Sequence, residues 1–214
     1  IIVENNLKLE IKDLINYSII LYQEQGFQLL NENISNELIS FLKERLKNYL
    51  RDKKIKFDII DAALSSHSSI DFVSISNKCR ILNKYLYKDL GKNILSSYKR
   101  ASNILDQEIK KNKLEIKGIP DTILFKKNEE KMLFDEINEI RKYFSNTIKN
   151  EKYFQTLEIL SKSKKNTDKF FDNVIVNDDN QNIKKNRLEL LKFFCVTFDN
   201  FVDFSKVEGI WWKK

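Results

Sequence analysis

The run NELISFLKERLKNYLRDK, residues 36–53, decides the architecture of this chain. Leu38, Leu42, Leu46, Tyr49 and Leu50 recur in it at helical spacing. An α-helix brings residues three and four apart onto one side, so these five form an apolar stripe that other elements must cover. Ser35, directly before the run, is the expected N-cap. Outward from this segment the same period recurs. Further helices are expected at about 9–30 (with Ile11, Leu14, Ile15, Ser18, Leu21 and Tyr22 at helical spacing, and Gly26 interrupting near its end), 58–64, 69–87 and 90–109. Beyond these come 128–148, 151–160, 167–173 and 181–204. The stretch 110–125 contains Gly118 and Pro120 and reads as a loop or small hairpin; 174–180 reads as an irregular link.

Composition agrees with this pattern. The 214 residues include 42% hydrophobic positions, with 15 Phe and 8 Tyr, enough for a sizeable core, so 32% charged residues do not make the chain disordered. Only 4 Gly and 1 Pro occur, too few for the tight turns of a sandwich or barrel. The expected fold is all-α, a helical bundle, with no solenoid repeat. Its expected divisions are 1–34 as the end of a preceding helical domain with a connecting helix, 35–110 as a first helical part, 111–127 as the loop, 128–209 as a second bundle and 210–214 as a tail. The opening residues, Ile1 to Asn6, read as the interior of a longer polypeptide.

The catalytic inventory is thin. His67 is the single histidine and is flanked by serines, with no nucleophile–base–orienter set around it. Cys79, Cys195 and His67 share no metal-ligand spacing, and no Gly-rich phosphate loop exists. Neither catalytic nor metal-binding residues are expected. Cys79 and Cys195 each sit in a helical apolar pattern, which suits reduced core cysteines and a cytoplasmic protein. No apolar run approaches the roughly 20 residues of a membrane span.

A net charge of +7 suits a polyanionic partner without specifying one. Lys43, Lys47, Arg51 and Lys54 follow at steps of four, four and three, a cationic row at about 6 Å intervals that suits a phosphate backbone. A solvated lysine-rich face fits the same pattern equally. In the helix around Tyr98, Ile94, Leu95, Tyr98, Ala101 and Leu105 form the inward side. Lys92, Ser96, Lys99 and Asn103 line the opposite side with Arg100 adjacent, a mixture of phosphate anchors and base-reading groups. The last helix carries Lys184, Lys185 and Arg187 in its first turns, against the helix dipole. Either an anion bound there or neutralisation by Asp178 and Asp179 accounts for them.

The same stretches carry a family resemblance. FLKERLKNYLRDKKIKFDIIDAAL (41–64), YKRASNIL (98–105), DKFFDNVIVNDD (168–179) with NRLELL (186–191), and VDFSKVEG (202–209) occur in this order. Together they resemble the C-terminal region of the β subunit of bacterial two-subunit glycyl-tRNA synthetases, over nearly the whole chain. Two departures stand out: Asn166-Thr167 replaces an expected Pro-Val pair, and Lys54 occupies a position where Gly is usual. The ending 210–214 has no counterpart.

The resemblance implies a helical anticodon-binding bundle of the type shared with arginyl- and cysteinyl-tRNA synthetases. It implies glycine tRNA as partner and a separate catalytic α subunit that uses ATP and Mg, in a tetramer of two α and two β. The segment itself carries no cofactor. Joined to the basic rows, it makes Lys43, Arg45, Lys47, Arg51, Lys99, Arg100, Asn103, Asn186 and Arg187 the expected tRNA contacts. Each has a plainer reading: Arg45 as a surface ion pair, Arg187 as a structural arginine paired with Asp168 or Asp172, and Phe170-Phe171 as core. The rival functions are the equivalent domain of another synthetase and a helical subunit-docking module that never touches RNA.

Overall fold

The computed structural model describes residues 1–29, 31–65, 70–112, 115–147 and 150–208. His67 and the 210–214 tail lie outside them. The described residues form nine α-helices: α1 (Ile11–Glu24), α2 (Ile34–Asp52), α3 (Phe57–Ser65), α4 (Phe72–Tyr85), α5 (Asp89–Asn112), α6 (Asn128–Thr147), α7 (Tyr153–Lys162), α8 (Lys164–Asn173) and α9 (Gln181–Asp199). Two 3₁₀ turns, Thr122–Leu124 and Phe204–Lys206, complete them. All-α is correct, and each expected helix is present with shifted ends.

The shifts have local causes. α2 starts at Ile34, with Asn33 at the N-cap position without a side-chain capping hydrogen bond, so Ser35 falls inside the first turn. α4 starts at Phe72 because the Asp71 carboxylate accepts the Val73 and Ser74 amides at 2.8 and 3.1 Å. α9 stops at Asp199, after which the chain turns to bury Phe201, Val202 and Phe204. Among the described residues the 115–127 segment forms no strand, so the hairpin alternative is replaced by a loop with one 3₁₀ turn. Asn166-Thr167 lies in the first turn of α8, where proline has no helical N–H to lose, so the departure leaves the turn intact.

The end of α2 explains the second departure. The Ile55 amide donates to Leu50 O at 3.2 Å and the Lys54 amide to Arg51 O at 2.9 Å. This is a Schellman closure, and it places Lys54 in the left-handed region at φ 64°. A side chain there is strained, which is why glycine suits the position. Lys54→Gly is expected to raise stability by roughly 1 kcal/mol. Urea titration checks this, and an unchanged or lowered midpoint would count against the assigned strain.

α9 is the centre of the bundle. Leu188, Leu190, Leu191, Phe194 and Phe198 are buried on all of its sides. It packs on α5 and α6; α6 packs on α7 and α8, and α5 also on α7. Phe194 and Phe198 pack with centroids 4.2 Å apart and rings tilted by 37°, and Tyr98 and Phe204 close the cluster at 5.7 Å. α1 to α4 make a second group in which α1 packs on α2, α2 on α3, and α3 on α4 and on the Phe204–Lys206 turn. One continuous apolar core, from Ile11 to Val207, joins both groups. At the α4–α5 junction a Cβ on Gly91 would stand 1.9 Å from Leu86 O, so only glycine permits that close approach.

Candidate nucleic-acid interface

On α2 the structure separates the cations by what they touch. Lys47 Nζ pairs with Asp61 of α3 at 2.8 Å and sits 4.2 Å from the centroid of the Phe57 ring. Lys47 is thereby corrected from RNA contact to a partly buried tie between α2 and α3. Lys43 is half-buried, while Arg45 and Arg51 are exposed. None of these three has an ion pair among the described residues. The Arg45 guanidinium lies 5.0 Å from the Phe41 ring centroid, and Phe41 is 54% exposed, so the pair forms a cation–aromatic contact at the surface.

On α5, Arg100 and Asn103 are exposed one helical turn apart. The Arg100 guanidinium lies 4.3 Å from the Phe171 ring centroid, and Phe171 meets the buried Phe170 edge-on. Phe170 is core, as its plainer reading held, and Phe171 supports a cation. Lys99 is half-buried; burial lowers its pKa, while Asp58 and Glu208 oppose that shift. α5 is not among the principal packing neighbours of α2, and the acids of α3, Asp58 and Asp61, stand beside Lys99 and Lys47 respectively. Each of the two basic rows thus has one lysine beside a carboxylate of α3, Lys47 by Asp61 and Lys99 by Asp58.

The remaining two expected contacts are corrected outright. Asn186 is buried; its amide nitrogen donates to Asp121 O at 2.9 Å and its oxygen accepts the Asp121 amide at 2.7 Å. Arg187 is 4% exposed. Its Nε donates to Glu130 at 3.0 Å, and its Nη1 donates to Asp178 at 2.6 Å and to Ile175 O at 2.9 Å. Its partners are Glu130 and Asp178; Asp168 pairs instead with Lys164. Lys184 likewise pairs with Glu108 of α5 at 2.7 Å. Lys184 and Arg187 at the start of α9 are thus neutralised by internal carboxylates, while Lys185 is exposed.

Beside these polar residues, Glu189 gathers the 115–121 loop. One carboxylate oxygen accepts the amides of Lys117, Gly118 and Ile119 at 2.9, 2.5 and 3.1 Å. Gly118 has φ 78°, the left-handed turn that aims successive amides inward. Sequence reasoning missed Glu189. The signal was a set of polar residues, Asn186, Arg187 and Glu189, interleaved with Leu188, Leu190 and Leu191 in a stretch otherwise fit for burial.

A groove of about 420 Å³ opens between α5, α9 and the closing 3₁₀ turn. Lys99, Asn103, Asp106, Lys192, Asp199 and Asp203 are among its lining residues. Asp199 accepts the Tyr98 hydroxyl on one oxygen at 3.1 Å. Its other oxygen is buried without a hydrogen bond of normal geometry. Burial pushes this carboxyl up to about 6, against the Tyr98 hydroxyl, the Phe204 amide and Lys192. Among the described residues no group of His, Cys, Asp and Glu could hold a metal ion, and no helix is long and apolar enough to cross a membrane.

Comparison with known proteins bears on this arrangement. A family model described as the DALR anticodon binding domain matches residues 94–208, from within α5 to the end of the closing turn. The matched segment contains Arg100, Asn103 and the whole groove. The chain is 37% identical over 207 residues to the glycine–tRNA ligase β subunit of Rickettsia africae (strain ESF-5), covering 97% of this chain and 29% of the relative. It is 38% identical to that of Rickettsia canadensis (strain McKiel) and 37% to that of Rickettsia conorii (strain ATCC VR-613 / Malish 7), over the same shares. The chain thus spans less than a third of the length of the relatives it matches.

Proposed function

Because the chain belongs to the DALR anticodon-binding domain family, we propose that it binds the anticodon arm of a tRNA, glycine tRNA in particular. The observation that carries this reading is the exposed pair Arg100 and Asn103 within the matched segment, with the guanidinium 4.3 Å from the Phe171 ring centroid. A planar cation stacked on an aromatic anchors phosphate through its rim and receives an unstacked base on its open face. Arg45 over Phe41 and Arg51 offer a second set of anchors on α2.

The chain contributes positioning: binding energy at the anticodon arm helps to deliver the acceptor end to a catalytic site elsewhere. By this reading the partner is an α subunit that charges glycine onto tRNA with ATP and Mg, in an assembly of two α and two β. The named β-subunit relatives support that partnership.

Titration of a glycine tRNA transcript at several salt concentrations tests the reading. Binding should weaken linearly in log–log form, and the combined Arg45→Gln, Arg51→Gln, Arg100→Gln variant should reduce the slope by roughly 2, near 0.7–0.9 per phosphate contact. Lys47→Gln should leave the slope unchanged. Exchange for an arginine tRNA transcript separates this domain from that of another synthetase. A second reading, a docking module, draws on the apolar residues Leu14, Tyr17 and Ile20 left 43%, 61% and 51% exposed along α1. No RNA affinity at low salt would leave the docking module standing.

A further inference from the structure

We infer that the outer face of α1, carrying Leu14, Tyr17, Ile20 and Leu21, docks against the remainder of a full-length β subunit, on an apolar patch rimmed by lysine or arginine. This goes beyond the anticodon-arm reading and does not depend on RNA binding.

α1 is apolar on two sides. Ile11 and Ile15 are buried, and the half-buried Ile19 completes a stripe that faces the core. Leu14, Tyr17 and Leu21 follow at steps of three and four and form a second stripe, exposed along its whole length. α2 is the one principal packing neighbour of α1 among the described residues. A helix apolar on both sides is ordinarily covered on both. The imbalance is regional: of the 18 large apolar residues exposed among the described residues, 11 lie in the first 41 positions.

Charge and size select what covers this face. Residues 9–41 hold five acids, Glu10, Asp13, Glu24, Glu32 and Glu37, against Lys12 alone, net −4 in a chain of +7. Asp13 stands one turn before Tyr17 and Glu24 one turn after Leu21, so a carboxylate flanks each end of the stripe. RNA is repelled by such a face. A second copy laid α1 against α1 would set acid against acid. A surface with lysine or arginine around an apolar centre is matched instead. The stripe is about 21 Å long and about 10 Å wide, on the order of 200 Å². That is well short of the roughly 800 Å² that each partner of a freely associating pair buries. A covalently joined neighbour is held by far less, because the tether keeps it at millimolar effective concentration. The chain covers 29% of the Rickettsia africae relative, so such a subunit has more than two thirds of its length from which to supply that neighbour.

Hydroxyl-radical footprinting read by mass spectrometry tests this on the 214-residue chain and on the full-length β subunit that carries it, both dilute and without RNA or catalytic subunit. Oxidation of Tyr17 should fall about fivefold or more in the full-length subunit, where the tether holds the docked state. Leu14→Gln combined with Leu21→Gln should restore that oxidation in the full-length subunit. The same pair should leave the thermal midpoint of the 214-residue chain unchanged, since neither side chain belongs to its core. Equal oxidation in both proteins, or protection that survives the double substitution, would overturn the docking surface. So would protection that needs the catalytic subunit, or protection in the 214-residue chain that grows with its concentration, the mark of a second copy. A midpoint lowered in the 214-residue chain by the double substitution would assign the stripe to the chain's own core and also overturn it.

Discussion

Arg187→Ala is expected to lower stability by about 3–5 kcal/mol, the largest loss from any single polar change in this chain. The reason is what the guanidinium leaves behind. Glu130 is fully buried, and its carboxylate already accepts the Lys126 and Lys127 amides at 2.7 Å each on the oxygen that Arg187 does not use. Removing the cation strands a buried negative charge, and also uncovers Asp178 and Ile175 O. Such a loss is a large fraction of the 5–15 kcal/mol that typically separates folded from unfolded chains. Arg187→Lys should recover only a part of it, because one ammonium cannot hold three acceptors in the plane of a fork. Denaturant unfolding reads both variants, and a loss under 1 kcal/mol for Arg187→Ala would refute the assigned role.

Glu189→Ala is expected to cost about 2–3 kcal/mol, with a more local signature. Three amides converge on one oxygen, and alanine offers them nothing. Residues 117–119 are only partly covered, so water replaces some of the lost hydrogen bonding and the cost stays below that of Arg187. Glu189→Gln keeps an acceptor oxygen without the charge and should cost less than the alanine variant. Hydrogen exchange should accelerate at Lys117, Gly118 and Ile119 well before the helices respond. Unaltered exchange at those three amides would sink the claim that Glu189 fixes the loop.

These two residues show where sequence reading succeeds and where it stops. Helix existence was legible, since the apolar period of α2 or α9 depends only on neighbours within a turn or two. Ends were less so: Asp71 captures the start of α4, and Gly26, at φ 86°, closes α1 before the expected boundary. The all-α class followed from the same local information.

The candidate interface was legible only in part. Arg45, Arg51, Arg100 and Asn103 remain exposed: Arg45 and Arg100 meet aromatic rings, and no carboxylate pairs with any of the three arginines among the described residues. Asn186 and Arg187 were expected contacts by the family resemblance, yet the groups they bond lie 65 and 57 residues away. Lys47 belonged to a regular cationic row until α3 brought Asp61 to it. Asp199 was not singled out by the sequence, and the Tyr98 hydroxyl that it accepts lies 101 residues distant. A pairing between segments so remote leaves no trace in the periodicity of either one.

The central position of α9 has a consequence for how the protein is made. The chain leaves the ribosome from its N-terminus, so α5 and α6 emerge well before the helix that lies between them. Until Gln181–Asp199 has cleared the exit tunnel, those earlier helices have bare oily flanks and no partner to receive them. Assembly of this half is therefore delayed by sequence order, and a nascent chain halted before Gln181 lacks the middle of its structure, not its margin.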